Sequence, residues 1–215
     1  MAKKDGKRRI VQDYKHVNKS TIKNRYLLPL ISDILDRVGR KKIFTKLGLQ
    51  WDYNNVRIKK GDEWKAAFTT HIGAYEPIVM YFGLTNSPAT FQTIMNDIFH
   101  KEINKGEAGV FINDILVGTK VVEKVLRKLE ENDLFVKPEK YKWKVREIEF
   151  LEVVLGPRII EMEKVKVKGV SDWLTPRKIK NVQKFLGLAN YYRQFIKDFA
   201  KVVQPLHILV RKAEK

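Results

Sequence analysis

The hydrophobic and polar positions of this chain change their spacing several times along its length. Apolar residues alternate or cluster over short stretches at residues 8–14, 54–59 and 76–82, which predicts three β-strands. Residues 142–154 show the same short spacing and predict strands in a hairpin-like arrangement. Strand signals are therefore spread over most of the chain before residue 155.

Helical spacing marks other segments. Asn-Ser-Pro at residues 86–88 places a capping residue before a proline, and apolar residues follow three or four positions apart. A second helix is predicted from about 121 to 132. From about residue 163 onward the pattern is mainly helical, with Pro176 opening one segment and Pro205 interrupting another. Strands and helices mix without βαβ regularity, so we predict an α+β fold with a helical C-terminal part.

One segment places polar residues inside an apolar run. Residues 109–118 read Gly-Val-Phe-Ile-Asn-Asp-Ile-Leu-Val-Gly, so Asn113 and Asp114 interrupt what the pattern predicts to be a buried β-hairpin. Burying an unpaired polar group costs roughly 1 to 3 kcal/mol, and an Asp costs more unless a cation or hydrogen-bond donors meet it. We therefore predict a metal site at the tip of this hairpin.

Composition narrows the possible functions. The chain of 215 residues is 44% hydrophobic, enough for a buried core, and its formal charge is +18 with a pI near 9.9. Residues 158–215 hold 14 Lys and Arg against 5 Asp and Glu, so half of the net charge lies in about a quarter of the chain. Such a charge indicates a polyanionic partner, nucleic acid or an anionic membrane, and a merely solvated surface is the alternative.

The sequence also excludes several classes of site. Cysteine is absent, which rules out disulfides, thiol catalysis and thiolate metal ligands, and the four His show no metal-ligand spacing. No apolar run approaches the roughly 20 residues that span a bilayer, and the N-terminus has no apolar signal core. We therefore expect an intracellular protein, cytoplasmic or nuclear, with no membrane partner.

Several blocks of sequence, in the same order, resemble the reverse transcriptases of Ty3/gypsy-type retrotransposons. They cover residues 3–18, 21–39, 65–96 and 182–206, together with the aromatic-x-acid-acid pattern of the 109–118 hairpin. In that hairpin the first acid is replaced by Asn113. The resemblance implies a right-hand polymerase fold, with palm and fingers built from an antiparallel sheet and packed helices, followed by a basic, helical, thumb-like part.

The same resemblance implies a division into two parts. Residues 1–157 would form the fingers and palm, with the fingers mainly at 1–40 and 60–82. Residues 158–215 would form the thumb-like helical segment. The resemblance also implies a basic groove for an RNA/DNA or other nucleic-acid duplex, which agrees with the partner that the charge indicates.

The resemblance also implies which residues meet nucleotide and nucleic acid. The implied nucleotide-binding positions are Lys3, Arg9, Tyr53 and Phe82, and the implied template or primer contacts are Asn86, Pro88, Phe150, Leu151 and Glu152. Fixed cations suit a triphosphate because Arg can bind phosphate through two parallel donors. Glu152 replaces a Gly in the primer-contacting turn, where an acid would repel phosphate. Without the resemblance, Tyr53 and Phe82 are equally typical of core aromatics.

Polymerases of this family use two Mg²⁺ ions held by three Asp carboxylates, and this chain lacks two of the three. Gly48 and Asn113 occupy the first-strand and first hairpin positions, which leaves Asp114. Gly offers no ligand, and Asn offers a neutral oxygen where Mg²⁺ favours anionic ones in octahedral geometry. Asp52 is four residues further along the strand, roughly 13 Å away at about 3.3 Å per residue, too far to share an ion with Asp114. We therefore expect weak Mg²⁺ binding or none.

These observations predict a retroelement-derived reverse-transcriptase domain that binds an RNA/DNA hybrid or duplex but does not catalyse RNA-directed DNA synthesis. One alternative is a weakly active RNA-directed DNA polymerase that uses Asp114, the Asn113 carbonyl and substrate phosphates. Another is a non-catalytic structural or interaction module that associates with an active homologue. A folded relic without a selected role is also compatible with the sequence.

Overall fold

Helices and antiparallel strands are mixed in this chain without a regular alternation, as the α+β prediction requires. The computed structural model describes residues 12–39, 41–157 and 159–213. Their helices are α1 Lys15–Ser20, α2 Ile31–Val38, α3 Ser87–Ile98, α4 His100–Asn104, α5 Val122–Glu131, α6 Lys164–Ser171, α7 Ile179–Tyr191 and α8 Phe199–Ala213. Their strands are β1 Phe44–Gly48, β2 Phe68–Thr70, β3 Gly73–Tyr75, β4 Ala108–Phe111, β5 Asp114–Gly118, β6 Lys142–Val145, β7 Ile148–Phe150, β8 Val153–Gly156 and β9 Ile159–Met162.

The central sheet has the strand order β4-β5-β1-β6, with antiparallel pairing throughout. β4 and β5 form the predicted hairpin, in which Phe111 pairs with Asp114 across a two-residue turn. β5 also pairs along all of β1, from Phe44 opposite Gly118 to Gly48 opposite Asp114. This register places position 48 directly beside Asp114 at one end of the sheet.

The main core lies between one face of this sheet and the helices α3 and α5. Both helices place apolar residues four positions apart, so that one stripe of each faces the sheet. The largest buried side chains of this core are Leu47, Leu49, Phe91, Met95, Phe99, Ile115 and Leu129. α2 packs on the opposite face, where Gly109 permits close approach, because a Cβ at this position would lie 2.5 Å from Cγ2 of Ile34.

The chain falls into two compact units within the described residues. The first runs to Ile148 and also includes Gly156 and Pro157, and the second consists of Glu149–Leu155 and the residues from Ile159 onward. The predicted boundary after residue 157 differs from this division mainly in the segment Glu149–Leu155. The assignment of the two parts to fingers with palm and to thumb stays a prediction.

The second unit contains a small antiparallel sheet, of order β7-β8-β9, and three helices. α7 and α8 pack through a cluster that includes Val182, Leu186 and Val203. In the described part of the chain, no helix combines the length and the apolar character that crossing a membrane requires.

Two predicted strands are not found as such, and most of a third lies outside the described residues. Residues 54–59 begin within the 3₁₀ turn Asp52–Asn55, and afterwards only Arg57 pairs, through an isolated bridge to Val79 in the 76–82 segment. Residues 8–11 lie outside the described residues, and 12–14 are not a strand. Short apolar clusters were misleading here because an irregular segment can also turn its apolar side chains to the core, as Tyr53 and Val56 do.

The helical predictions agree better with the structure. α3 and α5 lie where the periodicity placed them, and α6, α7 and α8 occupy the region after residue 163. The interruption predicted at Pro205 is wrong, since α8 continues through this residue. A proline inside a helix removes one backbone hydrogen bond, but α8 also packs on α7 through Val203 and Leu206, which favours a continuous helix.

Candidate functional site

The tip of the β4–β5 hairpin is held by a buried polar side chain of α3. The turn consists of Ile112, whose φ is 53°, and Asn113. Gln92 is fully buried, and its Oε1 accepts a hydrogen bond of 2.7 Å from the backbone N–H of Ile112. Its Nε2 donates to the carbonyl of Val110 at 3.2 Å. Sequence reasoning missed Gln92, although a polar residue on the apolar face of a helix is a detectable signal.

The side chain of Asn113 is bound by the carboxylate of Asp52, a residue that the sequence analysis placed too far from Asp114 to share an ion with it. The Asn113 side-chain amide donates a hydrogen bond to Oδ1 of Asp52, and the backbone carbonyl of Asn113 accepts a bond of 2.8 Å from the N–H of Leu49. The extended strand assumed for that distance is not found, because β1 ends at Gly48. The chain then turns through left-handed conformations at Trp51 and Asp52, with φ of 61° and 50°, instead of continuing as an extended strand.

The position of the missing first-strand acid is covered by a lysine. Gly48 is buried, and a Cβ built on it would lie 2.8 Å from both Cβ and Cδ of Lys140. The lysine is held close because the N–H of Lys137 donates to the Gly48 carbonyl at 2.8 Å, and the N–H of Lys140 donates to the Lys137 carbonyl at 3.0 Å. A side chain at position 48 therefore requires the Lys140 stem to move.

These residues do not fit the pair of Mg²⁺ ions that the family resemblance implies. Position 48 has no side chain, the Asn113 amide faces Asp52, and Asp114 is the remaining family carboxylate. Among the described residues, no three His, Asp or Glu side chains are grouped so that they could hold a metal ion. Two carboxylates, of which the Asn113 amide already engages that of Asp52, supply fewer anionic ligands than the three that hold two divalent ions in the family.

Two residues implied in nucleotide binding lie together. The rings of Tyr53 and Phe82 are 4.9 Å apart between centroids, and Tyr53 also contacts Phe91 edge-on at 5.9 Å. Both Tyr53 and Phe82 are half-buried, so part of each ring remains accessible to a ligand. The other two nucleotide-binding predictions, Lys3 and Arg9, lie outside the described residues.

Asn86 and Pro88 shape the start of α3. Pro88 lies in the first turn of the helix, where its missing N–H costs no helical bond. The Asn86 side chain accepts a bond of 2.9 Å from the N–H of Asn24 and donates one of 2.9 Å to the carbonyl of Ile22. Asn86 therefore fixes the segment before α2, and its amide is already engaged.

A basic cleft lies beside this segment and was missed by the sequence reasoning. It has a volume of about 560 Å³ and is lined by Lys15, Asn18, Lys19, Lys23 and Thr85. Asn18 connects its two sides, since its amide donates to the Gly83 carbonyl at 2.7 Å and its oxygen accepts from the N–H of Thr85 at 2.9 Å. The cleft thus combines three lysines with a fixed amide in one unit of the chain.

The predicted primer contacts lie at the turn between β7 and β8. Phe150 is fully buried, so direct contact with a ligand can come only from its neighbours. Leu151 and Glu152 form the turn with φ of 49° and 65°. The expected repulsion by Glu152 is reduced, because its carboxylate binds Lys166 at 2.7 Å and accepts a bond of 3.1 Å from the Tyr192 hydroxyl. Burial, together with the nearby Glu152 charge, raises the pKa of Tyr192 above its ordinary value.

A buried ion cluster joins α4 to α5 at some distance in sequence from these positions. Glu102 is fully buried and meets Nζ of Lys124 at 2.6 Å and Nζ of Lys128 at 2.7 Å. Burial opposes ionisation of Glu102, but hydrogen bonds from the two lysines outweigh it and lower the pKa to about 2. The cluster satisfies a buried charge and stabilises the packing of the two helices.

Known proteins match this chain over most of its length. The family described as reverse transcriptase (RNA-dependent DNA polymerase) matches residues 1–155. The chain belongs to the reverse transcriptase family. A retrovirus-related Pol polyprotein from transposon opus of Drosophila melanogaster is 36% identical over 210 residues, which are 94% of this chain and 21% of the polyprotein. The chain thus spans about a fifth of that reverse-transcriptase relative, and it is a reverse-transcriptase-like domain of Ty3/gypsy-type retroelement origin.

Solved structures support the same family and its fold. A foamy viral protease-reverse transcriptase in complex with double-stranded DNA matches with a TM-score of 0.89 and 27% identity over 99% of this chain and 38% of the viral chain. The foamy viral enzyme in complex with an RNA/DNA hybrid matches with a TM-score of 0.80 and 27% identity, over 94% of this chain and 28% of the viral one. The right-hand polymerase fold predicted from the sequence is therefore confirmed.

Proposed function

We propose that this reverse-transcriptase domain binds nucleic acid and does not synthesise DNA. The observation that carries the proposal is the state of the three family metal positions. Position 48 has no side chain and is covered by Lys140, while Asn113 is engaged by Asp52. Of these three positions, Asp114 alone carries a carboxylate, where two Mg²⁺ ions would stabilise the attacking and leaving oxygens.

Loss of two carboxylates removes two negative charges from the site. Mg²⁺ gives up its water reluctantly and needs anionic ligands in strict octahedral geometry, so its affinity falls by orders of magnitude. Without the ions, the 3′-hydroxyl is not activated and the charge of the pyrophosphate leaving group is not balanced. DNA synthesis should then be undetectable, even with template, primer and nucleotide in place.

Several features support binding to nucleic acid. The chain carries a formal charge of +18, and phosphate neutralisation by Lys and Arg dominates affinity for nucleic acid. Lys15, Lys19 and Lys23 line one cleft together with Asn18. The two foamy viral relatives described above are complexes with double-stranded DNA and with an RNA/DNA hybrid. Either ligand would meet the basic cleft through its phosphates.

Two assays on the same preparation test the proposal. Fluorescence anisotropy with a labelled RNA/DNA hybrid, duplex RNA and duplex DNA should show binding that weakens steeply between low and moderate salt. Primer extension on a primed RNA template, with Mg²⁺ or Mn²⁺, should show no product above the protein-free control. Extended primer contradicts the loss of synthesis, and absence of salt-dependent binding contradicts the nucleic-acid function.

A matched pair of variants tests the cleft. Lys19→Ala with Lys23→Ala removes two charges from it, and Lys101→Ala with Lys105→Ala removes two exposed charges from α4 and its C-terminal end. The cleft variant should bind more weakly, and the slope of log K against log salt should fall by about 2, because each phosphate contact contributes about 0.9. Equal weakening in both double variants would show that total charge, rather than the cleft, determines binding.

One observation favours the weakly active alternative. The Tyr53–Phe82 pair and Asp114 are retained, so part of a nucleotide pocket and one metal ligand persist. If this pocket supports synthesis, the unaltered chain should extend a primer and Tyr53→Ala should abolish that extension. The same substitution should leave binding to nucleic acid unchanged, so that a loss of extension can be assigned to the pocket.

A further inference from the structure

The bond between Asp52 and Asn113 joins residues that are 61 positions apart in the chain. Asp52 lies in the 3₁₀ turn Asp52–Asn55, and Asn113 lies at the hairpin tip. Both are half-buried, so water competes for their polar groups less than at an open surface. A hydrogen bond between a carboxylate and an N–H donor is stronger than a bond between neutral groups.

The backbone around Asp52 is shaped so that this bond can form. Trp51 and Asp52 both have positive φ, a conformation that is costly for residues other than glycine. The amide of Asn55 holds the turn, since it donates to the Gln50 carbonyl at 2.7 Å and to the Asp52 carbonyl at 3.0 Å. An unfavourable conformation persists only where surrounding contacts determine it, and the bond to Asn113 is one of these contacts.

The chemistry of the pair depends on which residue carries the amide. An ionised Asp can only accept hydrogen bonds, whereas Asn supplies N–H donors. With Asp at both positions, two carboxylates would face each other and would need a proton or a cation between them. The N–H of Asn113 therefore donates to the Asp52 carboxylate at a place where a second carboxylate would repel it.

We infer that Asp52 and Asn113 form a clasp that holds the hairpin tip to the turn after β1 without a metal ion, with Asp52 as the positioning residue. This clasp acts together with the 2.8 Å bond from the N–H of Leu49 to the Asn113 carbonyl. The inference builds on the proposed loss of the metal centre. Its test measures stability rather than synthesis, so the two can fail separately.

The test exchanges donor and acceptor. Thermal unfolding of the full chain is measured in EDTA for Asn113→Asp, Asp52→Asn and the double swap. Asn113→Asp should lower Tm by about 2 to 4 °C, the shift that a loss of about 1 kcal/mol produces in a chain of this size. Asp52→Asn should cost less, since two amides can still bond. The swap should recover at least half of the loss, because an amide at residue 52 can donate to a carboxylate at residue 113.

The response of Tm to Mn²⁺ provides a second measurement, which a general change in packing would not alter. In Asn113→Asp, the two facing carboxylates should bind Mn²⁺, and millimolar Mn²⁺ should restore most of the lost Tm. The unaltered chain and the swap should respond to Mn²⁺ by less than about 1 °C. Asn181→Asp, which adds the same charge at an exposed position of α7, is the matched control and should change little in either solution.

Three results would overturn the inference. They are an Asn113→Asp variant as stable in EDTA as the unaltered chain, a swap no more stable than Asn113→Asp, and an Asn113→Asp variant that Mn²⁺ does not stabilise. If Asn113→Asp does not fold while the swap does, the inference is supported. If neither folds, the polarity of the pair is irrelevant and the inference is wrong. Primer extension by the unaltered chain would contradict the proposed function and leave these comparisons intact.

Discussion

Restoring a side chain at position 48 should destabilise the protein, because Lys140 occupies the space. A Cβ at residue 48 would lie 2.8 Å from two carbons of Lys140, closer than carbon atoms pack. Overpacking of this kind costs about 1 to 3 kcal/mol. Replacing a strand glycine regains roughly 0.5 to 1 kcal/mol, so the central values leave Gly48→Ala less stable by about 1 kcal/mol. Gly48→Asp should lose at least as much in EDTA, since it also buries a carboxylate.

Equilibrium unfolding in urea, followed by tryptophan fluorescence, measures these free energies. Combination of Gly48→Ala with Lys140→Gly should show a favourable coupling of about 1 kcal/mol or more, because the second change removes the clashing carbons. Gly187→Ala is the control, since open space surrounds Gly187 in α7 and the change should be neutral or stabilising by up to about 1 kcal/mol. A neutral Gly48→Ala, or an equal loss in both backgrounds, would refute the steric argument.

The clash at position 48 also affects any attempt to restore DNA synthesis by mutation. A double reversion with Asp at 48 and at 113 supplies three family carboxylates, but it also meets the Lys140 stem and faces Asp52. Failure of that variant to extend a primer would therefore not distinguish an inactive ancestor from an obstructed site. Adding Lys140→Gly and Asp52→Asn to the reversion removes both obstacles and makes the primer-extension result interpretable.

Three further predictions concern the buried polar groups. The pKa of Glu102 is about 2 in the folded chain against 4.5 for a free Glu. Ionised Glu102 therefore contributes at most about 3 kcal/mol to the free energy of unfolding above pH 4.5, and this contribution is lost as the pH falls toward 2. Glu102→Gln should flatten the dependence of stability on pH in this range. Gln92→Leu should cost about 1 to 3 kcal/mol and accelerate amide exchange at Ile112, and unchanged exchange would contradict the role of Gln92. Tyr192→Phe should cost about 1 kcal/mol and remove from the ultraviolet titration a phenol whose pKa is raised; the absence of such a difference would contradict the Glu152 contact.

The sequence was sufficient for the features that depend on local pattern. The apolar spacing of α3 and α5 fixed their positions, and the polar pair in the 109–118 run located the hairpin tip. The blocks that resemble reverse transcriptases, in the same order along the chain, predicted the fold. Patterns of this kind are reliable because one buried face forces a repeat of 3.6 or 2 residues on the chain. That Gly48 and Asn113 occupy two family metal positions is likewise a prediction from sequence position alone.

The tertiary structure determined what replaced those carboxylates. No local pattern shows that β1 ends at Gly48 and turns back through Asp52, or that Lys140 lies over Gly48. The basic cleft likewise joins Lys19 and Thr85, which are far apart in sequence. Such contacts depend on strand register and on turns whose positive φ is imposed by packing against local preference. The residues of this chain therefore predict which metal positions lack a carboxylate, and its fold shows which side chains lie at those positions.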